Sequence, residues 1–251
     1  MENKHIFYYE SIDSTNVEAE RMAMRGAPHG TVIVAKEQTA GKGRRGRAWE
    51  SPAGENIYMS ILLRPHLVPE RAPMLTLVMA YSIAKAIQNQ GFDGIQIKWP
   101  NDLILRGKKI CGILTEMKMN GSQIGHVIIG AGINVNTKHF PEDLKDKASS
   151  LFLESGKKQE MEKLLQDILN EFGADYDTFL KEENLSFMVD NYNSILVNCG
   201  KEVVILEPGN EFTATALGVN EKGELIVRLP NGKEQTIYAG EVSVRGVYGY
   251  I

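Results

Sequence analysis

The stretch Ile95 to Ile133, IQIKWPNDLILRGKKICGILTEMKMNGSQIGHVIIGAGI, decides the fold. Ile95 to Lys98, Leu103 to Leu105, Lys109 to Met119 and Ile124 to Ile133 are β-rich runs of strand length. Turn signals separate them at Pro100-Asn101-Asp102, Arg106-Gly107 and Asn120-Gly121. Connections this short join antiparallel neighbours, so the stretch predicts a hairpin-rich, mixed sheet.

Working outward, His5 to Glu10 reads as a strand. Thr15-Asn-Val-Glu18 has the form of a capping box, opening a helix that Gly26 can close. Ser14 to Asn16 is therefore expected at a helix N-terminus. Thr31 to Glu37 and Asn56 to Arg64 are further strands, and the segment Gly41 to Trp49 spans them. Pro73 to Gln90, mostly apolar and bounded by Pro and Gly91, predicts a core helix. Met161, Leu164, Leu165, Ile168, Leu169 and Phe172 recur at helical spacing, continued by Tyr176, Phe179 and Leu180, and this stripe is expected to cover the sheet. From Cys199 the texture changes to short β runs between Pro208-Gly209-Asn210, Asn220 to Gly223 and Pro230-Asn231-Gly232, the pattern of a small barrel. The expected class is α+β: a mixed sheet covered by helices over residues 1–197, then a small β-barrel domain over 198–251.

With 251 residues, 43% of them hydrophobic, the chain can bury a full core. A formal net charge of −4 argues against a general nucleic-acid coat, which carries a net basic face. The two cysteines, Cys111 and Cys199, stand far apart, so a disulfide framework or a cysteine zinc site has no support and a reducing cytoplasm fits. No long apolar stretch marks a signal peptide or a membrane span, so a soluble intracellular protein is expected.

Against that acidic balance, Gly41 to Arg47 places four cations and three glycines in seven residues, followed by Trp49. Cations this dense repel one another and make sense where several negative charges gather at one point. The Gly-Lys-Ser/Thr ending of a P-loop is absent, which leaves a flexible arm whose glycines let the backbone close over an anion while arginines supply forked donors. A solvated loop or a nucleic-acid patch would look the same taken alone. Lys98-Trp99-Pro100-Asn101-Asp102 is a second feature, readable as a plain turn packed by its indole. Lys109 follows; by alternation its same-face neighbours are Cys111 and Ile113, which would lift its ammonium from a partly apolar wall. Gly112 in that strand, and Gly130 and Gly132 in the next, clear space either for a bound ligand or for a close helix. His5, His29, His66, His126 and His139 show no ligand spacing.

Together Ser14-Thr15-Asn16, Gln38, Gly41 to Arg47 with Trp49, Lys98 to Asp102, Lys109 to Gly112, and Gly130-Ala-Gly-Ile-Asn134 resemble one family, the biotin protein ligases. The similarity runs over essentially the whole chain. It implies a class II synthetase-like catalytic fold followed by an SH3-like barrel. It also implies a two-step reaction in which biotin and ATP, carried with Mg2+, form biotinyl-5′-AMP, and a lysine of a biotin carboxyl carrier protein domain then takes the biotinyl group. Carried over by position, Ser14, Thr15, Asn16, Gln38, Lys42, Gly43, Arg44, Lys109, Gly112, Gly130 and Gly132 would bind biotin. Arg44, Arg47, Trp49, Asn101, Lys109 and Asn134 would bind ATP, with Trp49 stacked on adenine. Lys109, Arg44 and Arg47 would be catalytic, and no metal ligands are assigned. The family heptad begins with Gly-Arg, whereas Lys42 stands here, keeping the charge but losing the planar fork. The resemblance implies the short form, without the N-terminal helix-turn-helix domain of some relatives, so neither DNA nor membrane is expected as a partner. A homodimer stays open. So do a lipoate-protein ligase running the same adenylation on another acid, a nucleic-acid-binding module, and a non-catalytic biotin sensor.

Overall fold

The computed structural model describes residues 5–207, 210–238 and 243–246. Seven strands, β1 (His5–Tyr9), β2 (Thr31–Ala35), β3 (Ile57–Leu63), β4 (Ile95–Lys98), β5 (Asp102–Leu105), β6 (Lys108–Asn120) and β7 (Gln123–Ile133), form one sheet in the order β1-β2-β3-β7-β6-β5-β4. Only β1 and β2 run parallel, joined through helix α1 (Thr15–Met24). All other pairs are antiparallel, and the hairpins of residues 95–133 fall where their turns predicted them.

The alternation of side chains sorts the sheet into two buried faces. Val32, Ile61, Leu63, Val127 and Ile129 join α2 (Met74–Asn89) and α4 (Met161–Glu182) in the main core. Ile33, Leu62 and Ile128 point the other way and receive Ala19 and Ala23 of α1. Covered on both sides, β3 buries all of its residues, and this explains an apolar run interrupted only by Ser60. The capping-box expectation is corrected. Ser14 occupies the N-cap with no side-chain cap bond, Glu18 pairs with Arg21 and Arg25, and Thr15 turns its hydroxyl to Gln38 and Ser60 instead. At the opposite end of α1, Arg64 donates to the carbonyls of Ala23, Ala27 and Gly125, fixing the helix axis against the sheet.

Beyond the short helices α3 (Leu151–Ser155) and α5 (Val189–Ser194), a five-stranded antiparallel sheet follows. It consists of β8 (Glu202–Glu207), β9 (Asn210–Val219), β10 (Leu225–Arg228), β11 (Glu234–Ile237) and β12 (Ser243–Gly246), in the order β11-β10-β9-β8-β12. The turns expected at Pro208-Gly209-Asn210 lie partly outside the described residues. Val203, Ile205, Ala214 and Leu225 of this sheet belong to the same apolar cluster as α2 and β4. Trp99 is the joint: its side chain is 1% exposed and Nε1 donates to the Gly223 carbonyl at 3.1 Å. Replacing Trp99 with Phe keeps the ring but orphans that buried carbonyl. The expected cost is about 1–3 kcal/mol in unfolding free energy, measured by urea denaturation; an unchanged midpoint would show that the joint carries no stability.

Candidate active site

The site lies on the α1 face of the large sheet, where the helix N-terminus stops and the strands run on uncovered. Ser14, Thr15 and Asn16 reach it from the helix, Gln38, Lys42, Gly43, Arg44 and Trp49 from the loop after β2, and Asn101 from the β4–β5 turn. Lys109, Gly112, Gly130 and Gly132 form its floor. These sequence-predicted residues thus converge on one cavity. Arg47 and Asn134 do not line it. Arg47 is exposed, and Asn134 is a buried brace, its Nδ2 donating to the Ser149 carbonyl at 3.1 Å.

Lys109 gets there by a route that simple alternation misses. Leu103 pairs with Cys111 while Ile104 pairs with Lys109, so Ile110 is an extra residue and the register shifts. A bulge of this kind reverses which side chains share a face. Cys111 and Ile113 therefore point into the main core, correcting the expectation that they flank Lys109, and Lys109 emerges on the face of Gly112 instead. A Cβ on Gly112 would stand 3.1 Å from Lys109 Cε. The Lys109 ammonium lies 2.7 Å from Asp102 Oδ1, the two side chains being 24% and 14% exposed, and 5.1 Å from the Trp49 ring centroid. Burial pushes the Cys111 thiol up, so it stays protonated and inert beside this charge.

The glycines clear room for the protein's own side chains. A Cβ on Gly130 would fall 2.0 Å from Asn16 Oδ1, and one on Gly132 would fall 2.3 Å from Trp49 Nε1. The close-helix reading of the cleared positions holds at Gly130, while at Gly132 and Gly112 the neighbour is the loop indole. With Trp49 in place the cavity measures about 50 Å³, far below the several hundred Å³ of an open small-molecule pocket. The indole N–H is buried without a hydrogen-bond partner among the described residues.

Polar order surrounds that indole. Thr15 N–H donates to Gln38 Oε1 at 2.8 Å, Gln38 Nε2 donates to Ser51 Oγ at 2.9 Å, and Ser51 Oγ donates to the Trp49 carbonyl at 3.0 Å. Arg44 Nη1 donates to Asn101 Oδ1 at 3.0 Å, and Asn101 is locked to Ile113 through both its backbone and its amide. Burial holds the Arg44 pKa below its ordinary value, opposed by Asp102 and reinforced by Arg45 and Arg47. The guanidinium stays cationic all the same. Sequence reasoning missed Ser51, Ser60 and Glu116, and it assigned Asp102 no partner. Of these only Ser60 left a signal, a lone hydroxyl inside an apolar strand.

Comparison with known proteins gives this geometry its relatives. Residues 8–134 match the biotin/lipoate A/B protein ligase family and residues 199–245 match the biotin protein ligase C terminal domain. The bifunctional ligase/repressor BirA of Bacillus spizizenii is 35% identical over 243 residues, covering 96% of this chain and 74% of that protein. A biotin–[acetyl-CoA-carboxylase] ligase of Paracoccus denitrificans is 31% identical over 93% of this chain and 98% of its own length. The structure of the Aquifex aeolicus biotin protein ligase in complex with biotin and ATP superposes with a TM-score of 0.84 at 30% identity, covering 97% of this chain and 100% of that one.

Seating of the indole can be tested directly. Replacing Gly132 with Ala is expected to expel Trp49 from the cavity and shift tryptophan emission to the red, since the only other tryptophan, Trp99, stays buried. Emission identical to wild type would place the indole elsewhere.

Proposed function

This chain belongs to the biotin protein ligase family and has biotin–[acetyl-CoA-carboxylase] ligase activity, and we propose that the cavity between the α1 N-terminus and β6 is where it condenses biotin with ATP. The observation that carries this reading is the convergence of ring-type polar partners (Ser14, Thr15, Asn16, Gln38) and cations (Lys42, Arg44, Lys109) around one cavity. Biotin and ATP occupy the Aquifex relative named above.

In the first step a biotin carboxylate oxygen attacks the α-phosphorus of ATP, forming the biotinyl–phosphate bond as pyrophosphate leaves. Two like unit charges 4 Å apart repel by about 1 kcal/mol in water and about 4 kcal/mol at an effective dielectric of 20. Lys109 and Arg44 offset this repulsion, and Gly43 lets the loop backbone approach. In the resting state Asp102 holds the Lys109 ammonium aimed along the cavity floor. Arg47 reaches the phosphates only when the loop closes, Trp49 leaves the glycine floor to stack on adenine, and Asn101 holds the nucleotide side, with Asn134 serving only as a buried brace through its bond to the Ser149 carbonyl. In the second step the neutral amine of a carrier-domain lysine attacks the acyl carbon, AMP leaves with the C–O electron pair, and the amine proton passes to phosphate or solvent. Closure of the loop shields the mixed anhydride from water.

Among the described residues no three His, Cys, Asp or Glu side chains gather into a metal cage. That fits a magnesium ion arriving on the triphosphate, since Mg2+ keeps several waters and asks few carboxylates of the protein. Bound there it would neutralise phosphate charge. Residues 1–197 are proposed as the ligating domain and 198–251 as its small β domain. A biotin carboxyl carrier protein domain is the proposed acceptor, and homodimerisation is proposed along β6, which from Leu114 to Asn120 has a strand neighbour on one side only among the described residues. Among these residues no helix is long and apolar enough to cross a membrane; two free cysteines support a cytoplasmic setting. The 251 residues are proposed to bind no operator DNA, their formal net charge being −4 and their dense basic run lying in the loop the cavity already uses.

Three outcomes are expected. ATP–pyrophosphate exchange should depend on biotin and not on lipoate, and a carrier domain incubated with ATP and biotin should gain one biotinyl group by mass spectrometry; exchange driven by lipoate alone would favour the lipoate reading. Replacing Lys109 with Ala should slow adenylate formation by on the order of 10²–10³-fold, and an unchanged rate would remove Lys109 from the chemistry. Tryptic cleavage at Arg45 should slow when biotin and ATP are both present, equal cleavage in the two states arguing for a static loop.

A further inference from the structure

Glu116 stands exposed on β6, yet its Oε2 lies 2.7 Å from Asn16 Nδ2. An ionised carboxylate only accepts hydrogen bonds, so the contact forces the Asn16 amide to turn its NH2 toward Glu116 and its carbonyl inward. That carbonyl oxygen lies 2.6 Å from Ser60 Oγ. A carbonyl cannot donate, so the single Ser60 proton is committed to it. Ser60 is completely buried and thereby left with lone pairs toward Thr15 Oγ1, 2.8 Å away. The Thr15 proton then has two acceptors inside the protein, Ser60 Oγ and Gln38 Oε1, the latter at 3.1 Å. Gln38 Oε1 already takes the Thr15 backbone N–H, and one hydrogen of its NH2 goes to Ser51. A second amide hydrogen remains.

We infer that Glu116 is a positioning residue for the acid substrate: it sets the direction of the chain Asn16–Ser60–Thr15, so that Thr15 offers lone pairs and not a proton to the cavity. Gln38 meanwhile keeps one N–H for a ligand oxygen. A ring carrying both N–H donors and a carbonyl matches that pattern, and a ring without N–H does not. Without the carboxylate only the longer contact from Nδ2 to the Leu114 carbonyl, at 3.4 Å, holds the Asn16 amide, which can then turn over; Ser60 would donate to Thr15, and the Thr15 proton, left with Gln38 Oε1 alone, can swing to where the ring N–H belongs. The inference rests on the proposed reading that Thr15 and Gln38 face the biotin ring.

Steady-state biotin-dependent ATP–pyrophosphate exchange on the full chain separates the two. Glu116→Ala is expected to raise the KM for biotin about tenfold, a loss equivalent to about 1.4 kcal/mol, while kcat and the KM for ATP stay within about twofold. Glu116→Gln, whose side-chain carbonyl can still accept from Asn16, is expected to return the biotin KM to within about threefold of wild type. The inference is overturned if Glu116→Ala leaves the biotin KM unchanged, if kcat falls in place of a rise in KM, or if Gln fails to restore what Ala loses. Because Glu116 is exposed, both variants should melt with the wild type, and a large drop in melting temperature would mark a structural role instead. Absence of biotin-dependent exchange in the wild type would strike the proposed site and this inference with it, whereas wild-type exchange with an unmoved biotin KM in Glu116→Ala strikes the role of Glu116 alone.

Discussion

The whole site depends on the absence of three side chains. Gly112, Gly130 and Gly132 strip one face of the β6–β7 pair down to backbone, and the α1 N-terminus and the loop indole settle onto it at distances no Cβ would allow. Glycine weakens a strand interior, so these positions cost stability that the doubly covered sheet must supply. It does so through β3, buried along its whole length, and through Val127 to Ile129 of β7, buried on both faces.

On that floor the electrostatics are arranged by rigid elements and not by the loop alone. The bulge at Ile110 turns Lys109 onto the cavity face, and Asp102, across the hairpin, pairs with it. Arg44 is tied to Asn101, the last residue of the β4–β5 turn and the one before Asp102. Two cations of different origin are thus referred to adjacent residues, Asn101 and Asp102, where the β4–β5 turn enters β5. A lysine on a bulge beside a carboxylate resembles a point charge on a mount, and preorganisation of this kind is what makes electrostatic stabilisation effective.

Much of this was legible in residue order. Turn dipeptides and β-rich runs located β4 to β7, the apolar stripe located α4, and the clustering of Ser14 to Asn16, Gln38, the basic loop and Lys109 survived folding as one cavity. The failures have physical causes. The capping pattern at Thr15 and Glu18 was real chemistry with other partners available, since tertiary neighbours Gln38 and Ser60 outcompeted the backbone for the Thr15 hydroxyl. Alternation misplaced Cys111 and Ile113 because a single inserted residue is invisible to a period of two. Arg47 and Asn134 share the motif but not the cavity, and Glu116 gave no sign because its partner lies one hundred positions away.

The seam at Trp99 has an architectural implication. The indole that fastens the C-terminal sheet through Gly223 sits within the five-residue turn that also supplies Asn101 and Asp102, the counterparts of Arg44 and Lys109. The terminal sheet, which among the described residues contributes none to the cavity lining, is therefore a keystone for it. Trimming the chain after its large sheet would remove the partner of the Trp99 indole and so loosen the turn against which both cavity cations abut.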